Sequence, residues 1–362
     1  MSALRPAGLL RVLLLLSATL RLAAEPPLPP LPPTADEARR EVARFVPPGE
    51  RLLSSGGSVQ VLLHDLDDDG VPEVFAVALR GAEAGGDSAE ELARFGRLFE
   101  PERSDVRFTL LVLAERDGRL RLLRSVDLGT WKVLAGMDIR RVSRDRSYPL
   151  GLTFVFQTLE GAEHVWVVLG RDAGAAPARA VFHETLSSDV SVLDVDGDGV
   201  LDVVTSEREM ERSDVTETYL TWYRWSASGF REQASTVVVR NLVQFLFRTR
   251  SQLLDRDYDA LVRDALEPAA VQRLRRAGLG SREIIARFFP AAPELDSVRE
   301  LVLPVLRSSP FRLPSEAPPA VALQIRVVDT QGTAHFVEIL LAVARNPFQP
   351  RQFSLLPTRG VN

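Results

Sequence analysis

The chain has 362 residues, enough for two ordinary domains, and 45% of them are hydrophobic, so a sizeable core can form. It contains no cysteine, which excludes disulfides and thiolate metal sites. The formal net charge is −5, and loss of a leader carrying Arg5, Arg11 and Arg21 would make the chain still more acidic, which argues against nucleic acid as a partner.

Residues 1–24 have the pattern of a secretory signal peptide. Arg5 provides the positive start, Leu13 to Leu20 form a short apolar run, and Ala23-Ala24 provides a cleavage site. Arg11 and Arg21 bound the apolar run, which is too short to span a membrane. An uncleaved anchor is the alternative, and a lipid anchor is excluded because no cysteine follows. We therefore predict a secreted or periplasmic protein with no stable membrane span after cleavage.

Residues 25–33 are rich in proline and are predicted to form an extended linker. Thr34 and Glu37 have the spacing of a capping box, which predicts a helix from there to about Val46, ended by Pro47-Pro48. We assign residues 34–50 to this N-terminal helical segment.

Residues 51–239 are predicted to form a β-rich domain of three repeated units. Each unit has four strand-like runs, and the last two runs of each are joined by a short turn. The pentapeptide Glu102–Val106 recurs as Glu211–Val215, between the second and third runs of units one and three, and unit one carries an insertion at Gly81–Phe99. The predicted runs are 59–64, 73–79, 107–114 and 120–128 in unit one; 132–142, 150–157, 164–169 and 178–185 in unit two; and 190–193, 201–206, 218–225 and 230–239 in unit three.

Two nine-residue loops, Asp65–Glu73 and Asp194–Asp202, carry carboxylates at positions 1, 3, 5 and 9 and glycine at position 6. This spacing suits Ca²⁺, because alternate side chains of a tight loop converge on one ion and position 7 offers its carbonyl. Position 12 is Ala76 or Thr205 and a strand-like run follows each loop, so an EF-hand is disfavoured. The alternative is a solvated Asp/Gly turn that binds no metal. In unit two we place the equivalent segment at 138–145, where Arg140 and Arg141 would oppose a cation.

The stretches DLDDDGVPEVFAVA and DVDGDGVLDVVTSE resemble the FG-GAP/VCBS repeats of integrin-type β-propellers. The resemblance implies a four-stranded blade per unit and, because three units are too few for the usual ring, an open propeller-like array of mainly β structure. It implies Ca²⁺ ligands in both acidic loops. These ligands are Asp65, Asp67, Asp69, Glu73 and the Val71 carbonyl in the first loop, and Asp194, Asp196, Asp198, Asp202 and the Val200 carbonyl in the second.

Residues 240–362 are predicted to form an α+β domain, with helices first and an antiparallel sheet after them. Asn241 is the expected cap of the first helix, and Gln331-Gly332 the turn of a hairpin. Leu253–Leu261 (LLDRDYDAL) resembles the nuclear-transport-factor-like (SnoaL-like) fold, which implies a curved sheet around a helix. The predicted helices are 242–254, 258–266, 271–277 and 281–289, and the predicted strands 300–306, 320–329, 334–343 and 352–356.

The sequence contains no catalytic motif that we can assign. The four histidines lack zinc spacing, and there is no G-x-S-x-G elbow or P-loop. We therefore predict a non-enzymatic, calcium-stabilised binding protein whose partner is a protein or a polysaccharide. One alternative is an extracellular hydrolase, with polar groups converging near His335 or Asp257. Another is a glycan-binding or adhesion module that uses the aromatic set at 222–225.

Overall fold

The computed structural model describes residues 34–55, 58–81, 106–131, 133–143, 150–158, 161–170, 177–211, 214–226, 229–289, 294–313, 315 and 319–357. The leader, the proline-rich linker, almost all of the insertion in unit one and parts of both copies of the pentapeptide lie outside these ranges. The described chain is mainly β, with antiparallel sheets and helices.

The N-terminal helix α1 spans Ala35–Val42 and continues as a 3₁₀ turn over Ala43–Phe45. The predicted capping box is confirmed, since Thr34 Oγ1 accepts from the Glu37 N–H at 3.3 Å and Glu37 Oε2 accepts from the Thr34 N–H at 2.9 Å. Ala38 and Val42 are fully buried, and they pack on one face of the first sheet. The helix therefore covers an outer face of the β structure.

The predicted strands of unit one are confirmed. They form one antiparallel sheet in which β4, β5, β6 and β7 are neighbours in chain order, while β1 pairs with β5 alongside β4. The first predicted run is split into β3 and β4, and the short strands β1 and β2 were not predicted. The strands are β1 Arg51–Leu52, β2 Ser54–Ser55, β3 Ser58–Val59, β4 Val61–His64, β5 Glu73–Arg80, β6 Val106–Arg116 and β7 Arg119–Trp131.

Units two and three each form a four-stranded antiparallel sheet in chain order, as predicted. The second sheet contains β8 Val133–Arg141, β9 Leu150–Gln157, β10 Gly161–Leu169 and β11 Ala178–Thr185. The third contains β12 Ser188–Leu193, β13 Asp202–Met210, β14 Thr216–Ser226 and β15 Gly229–Val237.

The three sheets pack face to face in the order of the chain. Phe75 of the first sheet shares a hydrophobic cluster with Phe154 of the second, and Trp166 of the second shares another with Val203 of the third. The other face of the third sheet, which includes Leu220, packs against the C-terminal region. Side chains alternate across each strand, so a sheet between two neighbours is apolar on both faces.

The placement predicted for the loop of unit two is wrong. Asp138, Arg140 and Arg141 lie in strand β8, and the connection from β8 to β9 begins at Val142. Most of that connection, residues 144–149, lies outside the described residues.

The C-terminal region has four helices and then a four-stranded antiparallel sheet, as predicted. The helices are α2 Val239–Leu254, α3 Tyr258–Asp264, α4 Pro268–Arg276 and α5 Ser281–Phe288; a 3₁₀ turn follows at Leu295–Ser297. The strands are β16 Val298–Val302, β17 Ala320–Asp329, β18 Ala334–Val343 and β19 Phe353–Leu356, and β17 and β18 form the predicted hairpin.

The predicted cap of α2 is wrong. The helix begins at Val239, so Asn241 lies in its first turn. The buried carboxylate of Glu217, on β14, accepts hydrogen bonds from the backbone N–H groups of Val239 at 2.7 Å and Arg240 at 2.9 Å. A side chain from another element thus supplies the acceptor that a local cap usually provides.

Helices long and apolar enough to cross a membrane are not found in the part of the chain that the structure describes.

Candidate cation sites in two acidic loops

The second acidic loop connects β12 to β13, and its own carboxylates hold its backbone. Both oxygens of Asp194 accept from backbone N–H groups, Oδ1 from Gly197 at 2.7 Å and Oδ2 from Gly199 at 3.0 Å. Asp198 Oδ1 accepts from the Val200 N–H at 2.9 Å, and Asp196 Oδ1 from the Asp198 N–H at 3.3 Å. The loop is therefore curled around its first carboxylate.

The first acidic loop connects β4 to β5 and repeats most of this scheme. Asp65 Oδ2 accepts from the Gly70 N–H at 3.0 Å, and Asp69 Oδ1 accepts from the Val71 N–H at 2.7 Å. Asp67 Oδ1 accepts from the Asp69 N–H at 3.3 Å. Positions 1, 3 and 5 thus have the same hydrogen-bonding role in both loops, as the matched spacing predicts.

Two positions of each loop have left-handed backbone conformation. Position 6 has φ +87° at Gly70 and +86° at Gly199, which confirms the predicted need for glycine there. Position 4 has φ +61° at Asp68 and +82° at Gly197. A residue with a Cβ is unfavourable in this conformation, so the first loop has more backbone strain than the second.

The carboxylates that close the loops are buried. Asp202 is fully buried and Glu73 is 3% exposed, and each accepts from the backbone N–H of loop position 2: Val195 at 3.2 Å and Leu66 at 2.6 Å. Burial raises the pKa of Glu73 to about 7 and that of Asp202 to about 6, and neighbouring carboxylates add to both shifts. Each loop therefore holds a carboxylate in surroundings that disfavour its charge.

Three carboxylates converge in each loop. One oxygen from each of Asp65, Asp67 and Glu73 lies within 4.8 Å of the others, and Asp194, Asp196 and Asp202 do the same. The predicted ligands at position 5, Asp69 and Asp198, are not part of these groups. The structure brings together three of the four predicted side chains in each loop.

One buried oxygen in the first group, Asp65 Oδ1, lacks a hydrogen-bond partner among the described residues. In the second group, a hydrogen bond from the Trp222 side chain lowers the pKa of Asp202. An unsatisfied buried oxygen is costly unless a further partner, such as a cation, binds it. The donor set, hard oxygen atoms around one point, fits Ca²⁺.

Arginines from other elements contact both loops, and sequence reasoning missed them. Arg224 on β14 forms ion pairs with Asp198 and with Asp196, the latter at 2.7 Å. At the first loop, Arg141 on β8 pairs with Asp68 at 2.5 Å, and Arg116 lies 3.9 Å from Asp67. These guanidinium groups balance part of the loop charge, and Arg224 would compete with a cation for oxygens of Asp196 and Asp198.

The carbonyl ligands predicted at position 7 belong to residues in different surroundings. Val200 is buried with Val142 and Val168, whereas Val71 is half-buried. The second loop also pairs with the second sheet, since Val142 O accepts from the Leu201 N–H at 2.6 Å. The second loop is therefore held by two sheets.

His335 and Asp257, near which the hydrolase alternative places its polar groups, each make a contact that stabilises local structure. His335 Nε2 lies 3.0 Å from Asp329 Oδ2 at the β17–β18 hairpin, and Asp257 caps α3 by accepting from the Ala260 N–H. His64 precedes the first loop, and burial, followed by the Arg141 charge, lowers its pKa.

The aromatic rings that suggested a sugar-binding patch are packed against other rings. Trp222 lies against Phe348, Tyr223 against Phe182 and Trp225 against Phe230, with centroid distances of 5.7, 5.3 and 5.5 Å. Trp222 and Tyr223 point to opposite faces of β14, as strand alternation predicts.

Comparison of the chain with protein-family models, with curated proteins and with solved structures finds no significant match.

Proposed function

We propose that this chain is an exported, non-enzymatic binding protein whose β domain is stabilised by Ca²⁺ in its two acidic loops. The observation that carries the proposal is the convergence of the fully buried Asp202 with Asp194 and Asp196. The first loop repeats the arrangement with Asp65, Asp67 and Glu73. A buried carboxylate beside two others is unfavourable as an anion in the free protein, and a bound cation would stabilise its charge.

The ion would have a structural role. Each loop joins the first two strands of a sheet, so an ion bound there would hold β4 to β5 or β12 to β13. A ligand that binds only the folded protein stabilises it by RT ln(1 + [L]/Kd), about 3 kcal/mol at one hundred times Kd. Asp69 and Asp198 would contribute only after a change of side-chain rotamer, and Asp198 only after release from Arg224.

The stacking of the sheets supports the open array that the FG-GAP/VCBS resemblance implies. Helix α1 packs on the free face of the first sheet, and the C-terminal helices pack on the free face of the third. Both ends of the array are covered, so the three units do not need further blades to bury their outer faces.

The partner is proposed to be a protein or a polysaccharide that binds the β domain. A hydrolase is less well supported, because His335 and Asp257 each serve a local structural contact, and neither lines the cleft beside α2 or the cleft beside the second acidic loop. Retention of the purified protein on immobilised cell-wall polysaccharide, with Ca²⁺ and with EGTA, tests a polysaccharide partner; equal retention on bare resin would exclude it. Export is tested by fractionation of the cells that produce the chain.

The metal proposal is tested by thermal unfolding of the purified protein in CaCl₂, MgCl₂ and EGTA. We expect Ca²⁺ to raise the melting temperature and EGTA to lower it. Asp202→Asn keeps the side-chain size but removes the charge, so it should reduce the Ca²⁺ response without reducing the stability measured in EGTA. Glu207→Gln, which neutralises an exposed carboxylate on β13 of the same sheet, is the matched control and should keep the response. Identical melting curves of the unmodified protein in Ca²⁺ and EGTA would refute the proposal.

A further inference from the structure

A second feature of the molecule is a cleft of about 510 Å³ in the C-terminal region, remote in sequence from the acidic loops. Helix α2 forms one wall, the end of α3 another, and the segment that leads into β19 the third. A concave site of this size suits a small molecule.

The wall formed by α2 is one face of that helix. Asn241, Gln244, Phe245 and Arg248 line the cleft, and they follow the i, i+3, i+4, i+7 spacing of neighbours on a helix surface. This face carries two amides, one aromatic ring and one cation. It is a polar face turned toward a cavity, whereas the opposite residues Leu242 and Leu246 are buried in the core.

The cleft is positively charged. Arg248, Arg263 and Arg351 line it together with one acidic residue, Asp264, so the formal charge of the lining is +2. Asp264 is bound by Arg263 through both carboxylate oxygens, at 2.8 and 3.2 Å. The charges of Arg263 and Asp264 therefore cancel. Arg248 and Arg351 have no carboxylate in hydrogen-bond contact among the described residues.

Arg351 is held in place by backbone carbonyl groups and has no carboxylate in hydrogen-bond contact among the described residues. Its Nη1 donates to the backbone carbonyl of Arg263 at 3.0 Å and its Nη2 to that of Leu266, while its Nε is buried without a partner in the described structure. Burial lowers the pKa of Arg351, with Asp264 and Glu267 opposing that shift from a distance. Carbonyl groups orient the guanidinium but do not neutralise it, so its field acts on the cleft.

Gln352 is the second buried polar group of this site. It is 5% exposed, its Oε1 accepts from Asn241 Nδ2 at 2.9 Å, and its Nε2 has no partner among the described residues. The hydrogen bond from Asn241 fixes the amide, and its Nε2 is enclosed by protein atoms, so Gln352 shapes this wall of the cleft.

Aromatic rings complete the lining. Phe245 and Phe353 lie with their ring centroids 5.9 Å apart, and Phe348 lines the cleft from the loop before β19. Rings beside cationic donors suit a ligand with a flat apolar part and an anionic group.

We propose that this cleft binds a small organic anion, with its phosphate or carboxylate group held by Arg248 in the field of Arg351 and its ring against Phe245 and Phe348. The proposal does not depend on calcium binding by the acidic loops.

The test uses phenyl phosphate as the probe, with inorganic phosphate and phenol as its two halves. Isothermal titration is done on the full chain in EGTA, so that metal in the acidic loops cannot bind the phosphate. We expect phenyl phosphate to bind more tightly than either half. Arg248→Gln should weaken it about tenfold, the usual effect of losing one charge-assisted hydrogen bond. Arg276→Gln, an exposed arginine of α4 that does not line the cleft, should change it less than twofold.

Three results would overturn the proposal: no saturable binding of phenyl phosphate below about 10 mM, an affinity that Arg248→Gln leaves unchanged, or phenol binding as tightly as phenyl phosphate. Because Arg248 is exposed, its replacement does not disturb the core, and the melting temperature of the variant checks this.

Discussion

Replacement of Glu217 tests how the β domain is joined to the C-terminal region. This side chain is 1% exposed and accepts from three backbone N–H groups, those of Thr218, Val239 and Arg240, at 2.8, 2.7 and 2.9 Å. Two of them are in the first turn of α2, which has no other side-chain cap. The loss of a helix cap costs about 1 kcal/mol, and leaving buried donors unsatisfied costs about 1–3 kcal/mol. We therefore expect Glu217→Ala to lower the free energy of unfolding by about 3 kcal/mol.

The measurement is urea unfolding followed by far-UV circular dichroism, in EGTA to remove any contribution from metal. Glu232→Ala, an exposed residue on the neighbouring strand β15, is the matched control and should change stability by less than about 0.5 kcal/mol. Glu217→Gln keeps one acceptor oxygen and should fall between the two. A loss below about 1 kcal/mol for Glu217→Ala would refute the view that this carboxylate caps α2 from outside the helix.

Two further changes test the second loop and the second sheet. Arg224→Gln removes a cation that pairs with Asp198, so it should tighten Ca²⁺ binding about tenfold by calorimetry; weaker or unchanged binding would contradict a competing role. Gly161→Ala would place a Cβ against the backbone carbonyl of Glu184, and it should cost about 1–3 kcal/mol in urea unfolding. Gly136→Ala, on the same sheet with open space around it, is the control, and equal losses for both would show that the close approach is unimportant.

The strands of the β domain could be predicted from the sequence, because each strand is indicated by its own residues and by the turns beside it. Alternating or continuous apolar runs bounded by Asp/Gly turns predict antiparallel hairpins, and all twelve predicted runs correspond to strands. The short strands β1 and β2 were missed, since two-residue segments such as Ser54–Ser55 have no periodicity to detect.

The sequence predicted the curled backbone of the acidic loops, but it did not predict the arginines that balance part of their charge. The spacing predicts the convergence of positions 1, 3, 5 and 9, and the structure brings together positions 1, 3 and 9 but not Asp69 or Asp198. The arginines were missed because each comes from a different strand; Arg141 is 73 residues from Asp68. Sequence reasoning has no access to contacts of that separation.

The two corrections have different origins. Asn241 is a good N-cap residue by type, but a buried carboxylate from β14 provides the acceptor and lets α2 begin earlier, at Val239, so a tertiary contact overrides a local preference. In unit two, the loop was placed at 138–145 although residues 132–142 were also predicted as a strand, and strand β8 follows the strand prediction through Arg141.

The order of the strands in the stack has a consequence for chain entropy. Each of the three sheets is a meander in which successive strands pair, and the strand that follows one sheet begins the next. The connections between paired strands are therefore short compared with the whole chain. The entropic cost of closing a connection rises with its length. The longest connection between paired neighbours within these sheets is the insertion in the first, between β5 and β6. The first sheet is thus entropically the most expensive to close, and it is the sheet on which helix α1 packs.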